Sequence, residues 1–251
     1  MTLDSVRCTV LIENSADRAD LAAEHGFSAW IDTGRHQVLF DTGTSGAVVQ
    51  NAGALGIDLS RADAIVLSHG HYDHVGGLPA VSRETPGAVV CSHPDANVDP
   101  LGHDSLTSRS DEEVVPGVHM TGEIPRVTDF ETRREPPVPQ PDDQAIFFRA
   151  PEGVVVVVGC AHAGVVNTLR YVARLADVER IHAVFGGMHL AGVPAARLEA
   201  TATAFRELGI ERLGPCHCTG EGPVRYFADR FPDRFFTCQT GTVLDFGGGD
   251  G

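Results

Sequence analysis

Short apolar runs separated by polar turns dominate this chain, a pattern of many strands with a few intervening helices. Residues 7–12, 27–31 and 37–40 read as strands, the last two joined by a turn at Asp32-Thr33-Gly34-Arg35. Residues 17–25 have helical composition and stop at Gly26. Residues 45–55 place Val48, Val49, Ala52 and Leu55 on one helical face. A strand at 64–67, a short helix at 75–81 and a strand at 88–91 follow.

The pattern then breaks. Residues 92–143 are rich in Pro, Asp, Glu and Arg and carry only short apolar runs. This stretch is expected to be irregular and to cover a substrate site, with two short strands near 117–121 and 126–128. Its portion 131–142 reads equally well as a disordered surface insertion.

Regularity returns in the second half. Residues 144–149 and 154–158 are strands around a turn at Pro151-Glu152-Gly153, and the five valines of the second predict burial on both faces. A helix over 165–175, a strand over 181–185, a helix over 195–208 behind Pro194, a strand over 212–215 and a helix over 223–230 come next. Strands at 235–238 and 242–246 close one domain of residues 1–246, and 247–251 form a mobile tail. Polar residues recur where the apolar strands end: Asp41, His69, His162, His189 and His217. Strand-end loops on a layered scaffold are common places for a site.

Composition narrows the partners. Net charge is −15 and all 19 basic residues are arginine. Such a surface repels phosphate backbones at long range, which disfavours nucleic acid while leaving room for a local arginine pocket that takes a small anion. No apolar run is long enough to span a bilayer, and no leader-like segment opens the sequence. The expectation is a cytoplasmic protein with reduced thiols, no membrane partner, a small-molecule substrate, and self-association into a homo-oligomer left open.

The chemistry concentrates in Ser68 to Leu78, SHGHYDHVGGL, which holds His69, His71, Asp73 and His74. Burying so many imidazoles and a carboxylate without partners costs several kcal/mol for each polar group. A divalent ion removes that cost, because neutral imidazole and carboxylate are its natural ligands. Of the other histidines, His25, His36, His93, His103, His119 and His182 lack ligand spacing and read mostly as surface or loop residues. Cys216 and Cys218 flank His217 and read as packing or supporting residues.

His69-Gly70-His71-Tyr72-Asp73-His74 resembles the HxHxDH signature of the metallo-β-lactamase fold superfamily. Together with FDTG, GCAHAG, GGMHL and CHCTG it is similar to that superfamily's dihydropterin-6-methyl-4-(β-D-ribofuranosyl)aminobenzene-5′-phosphate synthase-like branch. The resemblance implies an α/β fold, a four-layer αβ/βα sandwich, with two metals at one edge. It implies His69 and His71 on one ion and Asp73 and His74 on the other, with Asp41 as a carboxylate supporting a ligand; Asp41 in Asp41-Thr42-Gly43 is otherwise a turn residue. His162 and His217 are the candidates to complete the two spheres. Where many members carry a bridging Asp, this chain has Gly159-Cys160. Either His162 takes over as ligand or Cys160 contributes a thiolate; His162 is preferred, with Cys160 kept as a supporting residue. His189 is open between metal ligand, general acid, substrate contact and structural imidazole, and is carried with Asp73 as a catalytic candidate.

The expected cofactors are two divalent ions, zinc first, with iron or manganese also suited to nitrogen and oxygen ligands. Such a pair activates a water for attack on a phosphorus or carbonyl centre. The leading expectation is a hydrolase of a small anionic or phosphorylated substrate. A pterin-linked synthase or transferase and a non-catalytic ligand sensor stand behind it; a di-iron redox protein and a nuclease rank lower.

Overall fold

The computed structural model describes residues 1–16, 18–132 and 140–248. In chain order the first half holds β1 (Val6–Ile12), β2 (Ser28–Asp32), β3 (Gln37–Phe40), α1 (Ala47–Ala54), β4 (Ala64–Val66), α2 (Tyr72–Val75), α3 (Leu78–Glu84), β5 (Val89–Ser92) and β6 (Ser105–Thr107). The second holds β7 (Glu112–Val115), β8 (Val118–Met120), α4 (Asp129–Thr132), β9 (Ala145–Ala150), β10 (Gly153–Val158), α5 (Val165–Leu175), β11 (Ala183–Gly187), α6 (Ala195–Glu207), β12 (Arg212–Cys216), α7 (Glu221–Arg230) and β13 (Val243–Phe246). One sheet runs β13-β1-β2-β3-β4-β5-β6 and the other β12-β11-β10-β9-β8-β7.

Side-chain alternation explains the layers. On β10, Val155 and Val157 point into a core shared with Val10, Ile31, Phe40 and Val66 of the opposite sheet. Val154, Val156 and Val158 point the other way, onto Leu169, Val172 and Phe205 of α5 and α6. Across the first sheet, Leu11, Leu39 and Ile65 meet Val48 and Ala52 of α1 and Val81 of α3. The result is helix, sheet, sheet, helix: the four-layer sandwich expected. Each fully buried Val, Leu or Phe contributes about 1.5–3 kcal/mol, so the three clusters are ample to hold the layers together.

Several local expectations give way. Residues 18–25 are not helical: Ala22 exchanges hydrogen bonds with the Asn51 side chain and Glu24 donates to the Glu13 carbonyl, so tertiary partners replace the helical ladder. The helix expected over 75–81 is divided between α2 and α3 at Gly76-Gly77. A Cβ on Gly77 would stand 2.0 Å from the Thr42 carbonyl oxygen, which explains glycine at that break. The described part of residues 92–143 is more regular than expected, for β6 edges one sheet and β7 and β8 extend the other. The strand near 117–121 is β8. Residues 126–128 form none, because the Val127 and Thr128 amides both donate to the Asn167 side chain. Residues 235–238 make a single bridge, Phe235 to Leu213, rather than a strand.

The expected insertion at 131–142 falls partly on 133–139, and the expected tail partly on 249–251, outside the described residues. Gly247, at the start of that tail, donates to Glu152 at 2.9 Å. The topology places the site: β3, β4 and β5 are parallel, as are β10, β11 and β12. Their carboxyl ends present the Asp41, His69, His162, His189 and His217 loops at one edge, where ligands of open α/β sheets commonly bind.

Candidate metal centre

The loops that end these strands share an unusual backbone. Asp41, Ala161, His189 and His217 have φ of 56°, 51°, 48° and 51°. Non-glycine residues avoid this left-handed region, and its use at functional turns is a recognised form of stored strain. Gly159 is required for another reason. A Cβ there would stand 2.1 Å from Ser68 Oγ and 2.8 Å from Asp41 Oδ2, so glycine lets the β10 loop close against the first sheet.

Asp41 is fully buried and organises the first half. Its Oδ1 accepts from the Ser68 amide at 2.7 Å, and its Oδ2 accepts from Ser68 Oγ and from His74 Nδ1, each at 2.7 Å. Three tautomers follow from proton accounting. His74 donates its Nδ1–H to Asp41, leaving Nε2 to face inward. Ser68 has already given its hydroxyl proton to Asp41, so His69 Nδ1–H donates to Ser68 Oγ at 2.9 Å and its Nε2 also faces inward. His217 Nδ1–H donates to Asn14 Oδ1 at 3.0 Å, since Asn14 points its own amide nitrogen at the His217 carbonyl. Pinning one imidazole nitrogen so that the other is presented is how proteins prepare histidine ligands.

The inward atoms converge. Asp73, His74, Cys160 and His217 form one group with all ligand atoms within 4.8 Å of one another, and His69, Cys160 and His162 form a second. His217 Nε2 lies 3.2 Å and His74 Nε2 3.6 Å from Asp73 Oδ2. His69 and His162 bring their Nε2 atoms to 3.2 Å. These separations match the edges of a coordination tetrahedron, about 3.3 Å for ligand bonds of about 2.0 Å. The buried His217 Nε2 has no hydrogen-bond partner, as expected of an atom prepared for a cation. The residues therefore fit two divalent ions.

Titration agrees in direction. Burial holds His69 well below the ordinary imidazole value, helped by its histidine neighbours. Burial pushes the Asp73 carboxyl up, but the His217 and His74 imidazoles beside it outweigh that and keep the group ionised. Burial pulls His74 down, and Asp41 then Asp73 pull it up further, so this corner attracts positive charge.

The remaining expected residues are less central. His71 is exposed; its ring stands 4.6 Å from His69 and 4.9 Å from His162, centroid to centroid, and its Nε2 meets the Gln140 side chain. It lies outside both 4.8 Å groups. The His189 ring lies tilted against that of His162, 4.4 Å between centroids, and joins Cys160 and Cys218 in a third group. His25 is an exposed loop residue, as expected, but its Nε2 also stands 3.3 Å from Asp73 Oδ2 at the rim of the centre. Asn14, Ser68 and Gln140 were also missed, because single polar residues joined only through tertiary contacts leave no local signal. Asp142 accepts from the Gly70 amide at 2.8 Å, tying the end of the 92–143 segment to the histidine loop.

Fold and centre together define a metal-binding α/β sandwich, and the profile of the metallo-beta-lactamase superfamily matches residues 22–217. The chain belongs to that superfamily. It is 24% identical over 287 residues to a 7,8-dihydropterin-6-methyl-4-(beta-D-ribofuranosyl)-aminobenzene-5'-phosphate synthase of Methanocaldococcus jannaschii, covering 97% of this chain and 98% of that protein. A crystal structure described as a metal-dependent hydrolase of the beta-lactamase superfamily superposes with a TM-score of 0.81 at 32% identity, covering 95% of this chain and 98% of the other. A diphosphatase of the PhnP family shares the fold at a TM-score of 0.58 and 17% identity, over 96% and 97% of the two chains. No helix among the described residues is long and apolar enough to cross a membrane.

Proposed function

We propose that this protein is a metal-dependent hydrolase of a small phosphorylated substrate. The observation that carries the proposal is the convergence of the His69, His74 and His217 Nε2 atoms on Asp73 and Cys160, each ring held by its Nδ1–H. His69, His71 and His162 would hold one ion, and Asp73, His74 and His217 the other. Zinc suits this imidazole-rich set, with iron or manganese as alternatives. The chemistry such a pair supplies is acidification of a bound water and stabilisation of negative charge developing on the substrate.

The protein's own groups have distinct tasks. Asp73 remains ionised and can accept a proton from an attacking water. His189, its ring 4.4 Å from that of His162, stands close enough to the centre to serve as general acid for a leaving group. Arg126 binds the His162 and Gln140 carbonyls at 2.9 and 2.6 Å, placing a guanidinium beside the centre in an otherwise acidic protein. That cation, with the phosphate ester in the name of the full-length archaeal relative, supports an anionic substrate. The same relative favours a second reading, a synthase that joins a phosphorylated aromatic amine to a pterin.

Purified protein loaded separately with zinc, manganese or iron(II) is tested against phosphomonoesters, phosphodiesters, lactones and pterin precursors. Hydrolysis of a phosphorylated compound that is lost with chelator and in His71→Ala is expected. Condensation without hydrolysis supports the synthase reading. Tight binding without turnover leaves a ligand sensor.

A further inference from the structure

Cys160 stands where the two halves of the centre meet. Its Sγ belongs to the group with Asp73, His74 and His217 and equally to the group with His69 and His162. Among the described residues no other side chain is common to those two groups. The backbone delivers it there on purpose-built geometry: Gly159 closes against Ser68 and Asp41, and Ala161 turns the chain away through its left-handed conformation.

The local contacts favour a ligand over a buried thiol. Cys160 Sγ lies 3.2 Å from His74 Nε2. Two ligands of one tetrahedral ion, at about 2.3 Å for sulfur and about 2.0 Å for nitrogen, stand about 3.5 Å apart. A thiol donating to His74 would account for that contact alone. It would leave the fully buried His217 Nε2, in the same group, with no hydrogen bond and only another ligand atom, Asp73 Oδ2, 3.2 Å away. A cation held by both accounts for the two together. Cys218 is the competing sulfur. Its Sγ accepts from the His189 amide at 3.3 Å and lies 3.7 Å from the Cys160 carbonyl, and it belongs to neither ion group.

Resting on the two-ion reading above, we propose that Cys160 is a thiolate ligand shared by both ions, bridging them through sulfur. Binding replaces the S–H bond with two sulfur–metal bonds, and the proton leaves to solvent. A sulfur bridge favours zinc or iron over magnesium or manganese, because thiolate is a soft ligand.

Cobalt(II) titrated into the metal-free protein tests this without any turnover assay. A near-ultraviolet sulfur-to-cobalt charge-transfer band is expected to grow through both equivalents in the unaltered protein. In Cys160→Ser the band should disappear and both equivalents should bind at least tenfold more weakly; Cys218→Ser should keep the band. A band that saturates at the first equivalent, or that survives Cys160→Ser and is lost in Cys218→Ser, overturns the proposal. Two bound ions with no band in the unaltered protein also overturn it, and leave the two-ion reading intact. Failure to bind cobalt at all removes the metal reading itself. Because the titration of the unaltered protein decides the matter, a variant that does not fold does not block the test.

Discussion

The two halves of the centre are built by different means. The first half delivers His69, His71, Asp73 and His74 from one loop after β4, steadied by a single carboxylate, Asp41. The second half delivers Cys160 with His162, then His189, then His217, from the ends of three adjacent strands, and three of these turns contain a left-handed residue. The contrast teaches that one contiguous motif can be held by side-chain hydrogen bonds, whereas scattered candidate ligands are aimed by the backbone.

Exchanging His74 and His217 is the strongest test of that contrast, since both belong to the same group. His74→Ala should lose that ion and also destabilise the metal-free protein by about 3 kcal/mol, because the buried Asp41 carboxylate loses the Nδ1–H it accepts at 2.7 Å. His217→Ala should lose the same ion while costing the metal-free protein only about 1 kcal/mol, since Asn14 Oδ1 loses one neutral donor but keeps the Gly26 amide. Metal content by elemental analysis and urea unfolding of the stripped proteins read both effects. Equal unfolding penalties would abolish the distinction.

A smaller effect is expected from Asp41→Asn. An amide can still accept from Ser68 but does not favour the His74 Nδ1–H tautomer as a carboxylate does. Metal affinity should fall about 10–100-fold with the fold retained. Competition with a chromophoric chelator measures it, and unchanged affinity would mean that Asp41 is only a turn residue.

The smallest effect concerns Asp143, which holds the second half's loop after β10 by accepting from the Ala163 amide at 2.8 Å. Burial pushes its carboxyl up to about 6, against the pull of the Ala163 and His162 amides. Between about pH 4 and 6 the folded protein therefore binds more protons than the unfolded chain, and this group's contribution to stability falls as pH rises through that window. Above it the penalty is on the order of 1–3 kcal/mol. Asp143→Asn keeps an acceptor for Ala163 and should remove the decline in the metal-free protein. Parallel stability curves for the two proteins from pH 4 to pH 7 would count against this.

The same contrast governs what could be read from sequence. The HxHxDH loop is legible because its candidate ligands are neighbours in the chain, and β10 is legible because a run of valine suits burial on both faces. The strand-end histidines were visible as positions, but their grouping was not. Cys160 was expected to support the centre, yet its sulfur stands among the ligand atoms of both groups. His25 escaped notice since nothing near it in sequence marks its approach to Asp73. Residues 18–25 were misread as helix because Asn51, remote in the chain, supplies hydrogen bonds that composition cannot announce.

The left-handed turns have a mechanical consequence. Asp41, Ala161, His189 and His217 each hold roughly 1–3 kcal/mol of backbone strain. Together that is comparable with the whole stability of an ordinary domain, about 5–15 kcal/mol. One edge of the sandwich is thus a set of compressed springs, latched by whatever draws the loops together. A bound cation is such a latch, so the melting temperature of this protein should serve as a gauge of how fully the edge is loaded.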